Sequence, residues 1–273
     1  MMDSFFFLPS TKLDKFNRVR GSYNAEIIID LEDSVVDREK EVGLNFLIEN
    51  PETYLESWIR INLRSDFNQP IDASQFDRLK QAGYNKFVLP KIKSEREIQE
   101  LLQTDSINLN IIILIEHPRL FYDLPDFLSS LKRNVFGLGL GTHDLLSFIG
   151  ANHNPLNTSY ARNELLYLAR SFGLKAIDTA SMNIDSSFKD ELENVYDMGF
   201  RSKFIVHPKQ LEMLSEFNSK TNKKNIERAK EIVEIISNKP IHLRYEPFIH
   251  KGVVVERPHI IKSEQILAGN YGK

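Results

Sequence analysis

The sequence predicts an α/β fold, specifically a parallel (β/α)8 TIM barrel, on three observations. Eight short apolar runs recur between Phe5 and His207, and polar segments with helical spacing of apolar residues separate them. Most of the runs are continuously apolar rather than alternating, which is typical of parallel strands buried on both faces. Strands that alternate with crossover helices indicate a parallel sheet, and eight of them match a closed barrel.

The predicted elements follow in order along the chain. The eight predicted strands are Phe5–Leu8, Ile27–Leu31, Trp58–Asn62, Lys86–Pro90, Ile111–Glu116, Val135–Leu140, Lys175–Thr179 and Phe204–His207. Apolar residues at helical spacing predict helices between them, most clearly over Glu95–Leu102, Tyr160–Phe172 and Phe188–Met198.

An open, doubly wound sheet is the competing architecture. The glycines at 137, 139 and 141 resemble a dinucleotide-binding loop, but they lie at the sixth strand and lack the G-x-G-x-x-G spacing. We interpret them as a close-packed strand end. Both folds place their chemistry at the carboxyl ends of the strands, and the strand count favours the barrel.

Two regions are expected, a barrel over residues 1–220 and a C-terminal helix and arm over 221–273. The pattern of Asn225–Ser237 is typical of an amphipathic helix, and the chain after Pro240 predicts a hairpin or extended arm around Lys251 and Gly252. A short helix follows. This segment lies outside the eight repeats, and we expect it to cap the barrel mouth of its own or a neighbouring subunit.

Composition excludes several classes of function. The chain has 273 residues and no cysteine, so disulfides, thiolate metal sites and cysteine nucleophiles are excluded. The net charge is −3 with no basic block, which argues against a nucleic-acid partner. No apolar run reaches the ~20 residues of a membrane span, and the first ten residues lack the pattern of a secretory signal. We expect a soluble, cytoplasmic enzyme without a membrane partner.

Charged residues stand where the apolar runs end. The second run leads into Glu32 and Asp33, the third contains Arg60, and the fifth and sixth lead into Glu116 and Asp144. Parallel barrel strands converge at one face, so these side chains should meet there. Carboxylates from several strands suit Mg²⁺ or Mn²⁺, which could stabilise the enolate of a 2-oxo acid, while Arg60 offers a fork for a carboxylate.

Each of these residues also has a simpler interpretation. An acidic residue after a strand often caps a helix, as Asp33 or the Thr142-His143-Asp144 segment would, and Lys91 could be a solvated loop residue. The coincidence of charge at many buried strand ends favours a functional face.

Several motifs at these strand ends resemble one family. They are FFFLPSTKLDKF at 5–16, IIIDLEDSV at 27–35, WIRIN, FVLPKI, LIEH, GLGTHDLLSFIG, KAIDT and GFRSKFIVHPKQL at 199–211. In this order they resemble the HpcH/HpaI aldolase and citrate lyase β-subunit superfamily, in particular its stand-alone CitE-like branch. The resemblance implies a Mg²⁺- or Mn²⁺-dependent carbon–carbon lyase on a TIM barrel, forming a trimer or hexamer and acting on a 2-oxo acid or an acyl-CoA thioester of the citryl-CoA, malyl-CoA or citramalyl-CoA type.

The resemblance also assigns roles. It implies Glu116 and Asp144 as metal ligands, Arg60 as the residue that holds the substrate, and Glu32 and Asp33 as catalytic residues that support the site.

Three further positions belong to the predicted substrate site, namely Lys91, Gly141 and Thr142. In the C-terminal arm Glu256 stands where relatives carry a catalytic aspartate, and it is one methylene longer. His117 and His143 also depart from the family pattern, which has threonine and glutamate there.

Two alternative functions stay open at this point. Lys91 ends a strand and could form a Schiff base with a carbonyl substrate, which would make the protein a metal-independent aldolase. The altered neighbours of the ligand residues also allow a catalytically silent barrel that serves as a binding or assembly protein.

Overall fold

A computed structural model describes residues 1–102, 108–131 and 134–268, and it contains the predicted closed barrel. Eight parallel strands pair in sequence order, and β1 closes on β8. The strands are β1 (Asp3–Pro9), β2 (Ala25–Asp30), β3 (Trp58–Arg60), β4 (Lys86–Leu89), β5 (Asn110–Ile115), β6 (Val135–Leu140), β7 (Lys175–Asp178) and β8 (Ser202–Ile205). Their bounds lie within two residues of the predicted ones.

Helices connect these strands and continue beyond them. They are α1 (Phe16–Ser22), α2 (Asp37–Glu49), α3 (Pro51–Tyr54), α4 (Ser74–Gln81), α5 (Glu95–Leu102), α6 (Leu120–Leu131), α7 (Thr142–Phe148), α8 (Pro155–Ser171), α9 (Ser186–Met198), α10 (Pro208–Ser237) and α11 (Arg257–Leu267). Among the described residues no helix combines the length and apolar character that a bilayer span requires.

The chain divides into two compact units, Met2–Glu212 and Met213–Lys273, the second including Met1. The predicted boundary between residues 220 and 221 falls inside α10, which runs on because no glycine or proline interrupts it after Pro208. Residues 269–273, the end of the predicted arm, lie outside the described part of the chain.

The C-terminal unit contains the hairpin predicted around Lys251 and Gly252. Strands β9 (Phe248–His250) and β10 (Val253–Val255) pair antiparallel, and both turn residues have positive φ, 50° and 77°. A two-residue turn of this kind matches the twist of the flanking strands. A small apolar cluster fills this unit, formed by Ile232, Ile236, Val255 and Ile260 with Phe248 packed against it.

Large side chains fill the interior of the barrel. Phe5 contacts Trp58 and Phe204 edge to face, each with ring centroids 6.3 Å apart. Gly139 of β6 makes room for this packing, because a Cβ there would lie 2.5 Å from the Phe204 ring and 2.8 Å from Leu114. The interpretation of the glycine-rich run as a close-packed strand end is therefore confirmed.

A buried ionic network ties β7 and β8 to the helices outside them. Asp178 accepts hydrogen bonds from Arg162 Nε and Lys203 Nζ, both at 2.7 Å. Glu191 on α9 accepts from the same two cations, at 3.1 Å and 2.9 Å. Burial alone raises the pKa of Asp178, but the charges of Lys203 and Arg162 outweigh it and hold that pKa below its usual value.

Gly139→Ala should destabilise the barrel unit by about 1–3 kcal/mol, because the new methyl group overlaps the Phe204 ring and the surrounding core is close-packed. Gly21→Ala is the matched control. Gly21 lies inside α1 and has open space where a Cβ would lie, so alanine there should be neutral or stabilising by up to about 1 kcal/mol. Denaturant unfolding measures both, and equal effects would contradict the packing argument.

Asp178→Asn should lower the free energy of unfolding by about 3–5 kcal/mol near neutral pH, because it leaves buried cations short of a partner. A carboxyl whose pKa is lowered by folding contributes stability above its unfolded pKa, and this contribution is lost as the pH falls through the folded value.

The stability difference between the wild type and Asp178→Asn should therefore shrink below about pH 4. Urea titrations from pH 3 to pH 7 measure it. Asp190→Asn, an exposed position on the same helix as Glu191, is the control and should change stability by less than about 0.5 kcal/mol. A difference that stays constant to pH 3 would contradict the assignment.

Candidate active site

A cavity of about 350 Å³ opens at the carboxyl ends of the strands, within the barrel unit. Its volume is at the lower end of the range for small-molecule sites. Six of the predicted site residues line it together: Asp33, Arg60, Glu116, Gly141, Thr142 and Asp144. Apolar side chains that include Phe7, Leu114 and Phe204 form much of the remaining wall.

Arg60 is fixed by Asp30, a residue absent from the predicted site. The strand register pairs Asp30 of β2 directly with Arg60 of β3. Arg60 Nε and Nη2 donate to the two carboxylate oxygens at 2.7 Å and 2.6 Å, and the guanidinium lies 4.6 Å from the centre of the Phe7 ring. Such a bidentate pair fixes the plane of the guanidinium.

Charge decides the protonation state of Asp30. Burial alone would raise its pKa, but the charge and hydrogen bonds of Arg60, with further hydrogen bonds from Ser34 and the Glu32 backbone, lower it below its usual value. The sequence signal for this residue is its position two residues after Ile28, which places it on the same face of β2 as a core residue.

Lys91 is buried and does not line the cavity, although it is predicted to bind substrate. Its Nζ forms an ion pair with Glu32 and donates to Asp33 at 2.7 Å, and its backbone N–H donates to Glu116 at 2.5 Å. Burial lowers the pKa of Lys91, but the attraction of Glu32 and the hydrogen bonds to both carboxylates outweigh it and raise the pKa above its usual value. A protonated amine is the wrong state for Schiff-base formation.

Glu32 and Glu116 are buried carboxylates, and nearby cations and hydrogen bonds only partly offset the cost of burying their negative charge. Burial is the main cause that raises the pKa of Glu32 to about 7, against the opposing charges of Arg60 and Lys91. Its Oε2 receives no hydrogen bond, although Arg60 Nη1 lies 3.1 Å away as an ion pair. Burial, followed by repulsion from Glu32, raises the pKa of Glu116 well above its usual value, and Asp144 adds to this.

The charges around the cavity do not balance. Five carboxylates, those of Asp30, Glu32, Asp33, Glu116 and Asp144, stand against the two cations Arg60 and Lys91. A bound cation would relieve this repulsion, because it would allow the buried carboxylates to ionise together.

Four carboxylates line the cavity, those of Asp30, Asp33, Glu116 and Asp144. Asp30 is held by Arg60 and Asp33 by Lys91, so among the described residues Glu116 and Asp144 are the two whose side chains no cation holds. Gly141 is needed for this arrangement, because a Cβ there would lie 2.3 Å from Cγ of Glu116. Within the described residues no group of three or more His, Asp or Glu side chains is arranged around one metal position. Two carboxylates nevertheless fit Mg²⁺, which commonly takes one or two from the protein and keeps water or substrate oxygens as its other ligands.

The side of the cavity formed by the ends of β6 and β7 also carries hydroxyl and imidazole groups. Thr142, which begins α7, is fully buried, and its Oγ1 lies 2.9 Å from Oγ1 of Thr179 and 2.8 Å from Nε2 of His153. The His153 ring stacks on His143 with centroids 4.3 Å apart and an 8° angle between the planes. Thr179 and His153 are absent from the predicted site, and no local spacing connects them with Thr142.

Glu256 lies in the C-terminal unit, where it is exposed and caps α11. Its side chain accepts a hydrogen bond from the backbone N–H of His259, and its own N–H donates to His259 Nδ1 at 3.1 Å. This reciprocal pair is a capping box that stabilises the start of the helix. The predicted acid–base role of Glu256 stays a prediction.

Comparison with known proteins finds relatives over most of the chain. The chain is 26% identical over 227 residues to citrate lyase subunit beta of Haemophilus influenzae, covering 76% of each chain. It is 25% identical over 283 residues to a (3S)-malyl-CoA thioesterase of Cereibacter sphaeroides, covering 97% of this chain and 93% of that one.

A solved structure of CitE from Mycobacterium tuberculosis, in complex with magnesium, acetoacetate and coenzyme A, matches 98% of both chains with a TM-score of 0.79 and 20% identity. At that identity the match supports the barrel fold. The model of the HpcH/HpaI aldolase/citrate lyase family matches residues 3–208, which span the barrel and every site residue described in it. The chain therefore belongs to the HpcH/HpaI aldolase/citrate lyase family.

Proposed function

We propose that this protein is a carbon–carbon lyase that depends on Mg²⁺ or Mn²⁺ and acts on a substrate whose cleavage yields a 2-oxo acid or a related enolate. One observation carries the proposal, namely two carboxylates, Glu116 and Asp144, that face the same small cavity as the fixed guanidinium of Arg60. A divalent ion held by the two carboxylates would polarise the substrate carbonyl and stabilise negative charge on its oxygen.

Other residues of the site bind the substrate and position the carboxylates. Arg60 presents a fixed planar donor to a substrate carboxylate, because Asp30 occupies Nε and Nη2 and holds the group still. Lys91 holds Glu32 and Asp33 and, through its backbone, Glu116. The apolar side chains of the wall exclude water, which strengthens these electrostatic interactions.

The cavity volume limits what is bound inside it. A space of about 350 Å³ fits a keto acid of a few carbons, and a coenzyme A chain would have to extend out of it. Relatives named for citrate lyase and malyl-CoA, and the CitE complex with coenzyme A, support an acyl-CoA thioester as substrate. We propose that the small acyl end enters the cavity.

Mg²⁺ should bind to chelator-stripped protein and bind more tightly when pyruvate or oxaloacetate is present, because the keto acid supplies further oxygen ligands. Glu116→Gln and Asp144→Asn should abolish this binding, since each removes a charged ligand. Isothermal titration calorimetry measures it, with acetyl-CoA or malyl-CoA added in further titrations.

Glu193→Gln, an exposed position on α9, is the control and should bind as the wild type does. Unchanged metal binding in Glu116→Gln would refute the ligand assignment. Metal binding without turnover of malyl-CoA, citramalyl-CoA or oxaloacetate would favour a silent barrel, and trapping of a substrate adduct by borohydride would favour the Schiff-base alternative at Lys91.

Arg60→Lys should weaken keto-acid binding by about 10–100-fold, because lysine keeps the charge but loses the bidentate pair with Asp30 that fixes the direction of the donor. Mg²⁺ binding in the absence of keto acid should change much less, since Arg60 is not a ligand. Arg96→Lys, at an exposed ion pair with Glu100, is the control. Keto-acid affinity equal to that of the wild type in a folded Arg60→Lys variant would remove Arg60 from the substrate site.

A further inference from the structure

Among the described residues, none of the carboxylates at the cavity is left free to move the proton that a lyase must transfer, and the imidazole of His143, which stacks on His153, is the other possible base in the lining. Asp30 is held by Arg60, and Asp33 accepts a hydrogen bond from Lys91. Glu116 and Asp144 are assigned to the metal under the proposed function, and Glu32 does not line the cavity. Aldol and Claisen cleavage both leave an enolate whose carbon must be protonated, so this step is required whichever substrate is used.

On the side of the cavity formed by the ends of β6 and β7, a continuous series of hydrogen-bonded side chains runs from the cavity to the surface. Thr142 and Thr179 line the cavity and are buried, with exposed fractions of 0% and 2%. Thr142 Oγ1 lies within hydrogen-bond distance of both Thr179 Oγ1 and His153 Nε2. His153 is exposed and lines a second cavity of about 750 Å³, which shares His143, Ala180 and Met182 with the first. These hydrogen bonds therefore connect the first cavity, through the hydroxyl group of Thr142, with an imidazole that is exposed to solvent.

We propose that Thr142 and His153 form a proton relay that exchanges the proton on the enolate carbon with solvent, and that Thr179 positions the Thr142 hydroxyl. The relay rests on the proposed function, because it needs an enolate in the cavity. Thr142 is the residue that touches the substrate, and His153 acts through it.

With pyruvate as substrate, the relay would carry protons in both directions. In enolisation the methyl carbon gives a proton to Thr142 Oγ1, while the hydroxyl proton of Thr142 passes to Nε2 of His153. The C–H electron pair becomes the new C=C bond, and the carbonyl π electrons move to oxygen. In the reverse direction the imidazolium returns a proton through Thr142 to the enolate carbon, and between turnovers it exchanges that proton with water.

The surroundings of His153 suit a proton acceptor. Partial burial of the ring lowers its pKa, and interaction with His143 and with the charge of Arg162 lowers it further, while Glu191 and Asp178 oppose them. The imidazole is therefore neutral at pH 7, which leaves Nε2 able to accept a proton.

The test follows exchange of the methyl protons of pyruvate in D₂O, by proton NMR, with Mg²⁺ and the full-length protein. Binding is measured separately, from the relaxation of the pyruvate methyl signal by Mn²⁺. The wild type should exchange the methyl protons. His153→Gln should lose at least about 50-fold of the exchange rate, as expected for loss of an acid–base group, with Mn²⁺ and pyruvate binding unchanged. Glutamine can still hydrogen-bond to Thr142 but cannot accept its proton.

Variants of Thr142 separate a chemical role from a structural one. Thr142→Val, which keeps the shape and removes the hydroxyl, should lose exchange, and Thr142→Ser should retain it. In metal-free protein labelled with ¹⁵N-histidine, Thr142→Val should shift the Nε2 signal of His153. His242→Ala, in the C-terminal unit, is the control for both measurements and should match the wild type.

The outcomes distinguish this inference from the proposed function. Exchange in His153→Gln or Thr142→Val within threefold of the wild type would overturn the relay alone. Wild-type protein that binds Mn²⁺ and pyruvate without exchanging the methyl protons would also overturn the relay alone. Wild-type protein that binds neither Mn²⁺ nor pyruvate would overturn the proposed function, and the relay with it.

Discussion

The burial of carboxylates that outnumber their cations is the constraint on which the site depends. Glu116 and Glu32 are both nearly inaccessible, and each raises the free-energy cost of ionising the other. Arg60 and Lys91 reduce this cost but cannot remove it, because each of these cations also pairs with a further carboxylate, Asp30 and Asp33 respectively. Under the proposed function, a bound cation would stabilise this arrangement, and the same cation would polarise the substrate carbonyl.

Interactions elsewhere in the barrel offset the free-energy cost of these buried charges. A network on the outer face of β7 and β8, centred on Asp178 and Lys203, balances two cations with two carboxylates, whereas the carboxylates at the cavity exceed their cations. Inside the barrel, glycines at 139 and 141 allow Phe204 and Glu116 to occupy space that any larger residue would take.

The two walls of the cavity are chemically different. The ends of β2 to β5 carry most of the charge, held by ion pairs and by a backbone N–H from Lys91, and Asp144 adds one carboxylate after β6. The wall formed by the ends of β6 and β7 carries the hydroxyls of Thr142 and Thr179, with His153 beyond them. The separation suits a reaction that needs charge stabilisation at an oxygen and proton movement at a carbon.

The sequence by itself determined the fold and most of the charged site. Continuously apolar runs of this length, separated by amphipathic helices, are typical of strands buried on both faces, so their number and order predict the closed barrel, and its geometry requires that Arg60, Glu116 and Asp144 meet. These are properties of local pattern and topology, and neither depends on side-chain detail.

The tertiary structure decided which residues pair with one another through ion pairs and hydrogen bonds at the site. Asp30 acquires its role from its register with Arg60, and Lys91 turns away from the cavity because buried carboxylates attract its ammonium group. His153 lies in the loop between α7 and α8, and the conformation of that loop places it beside Thr142. A loop has no periodic sequence pattern from which this contact could be predicted. Hydrogen bonds between residues far apart depend on distances of a few tenths of an ångström, and these are set only when the whole barrel has closed.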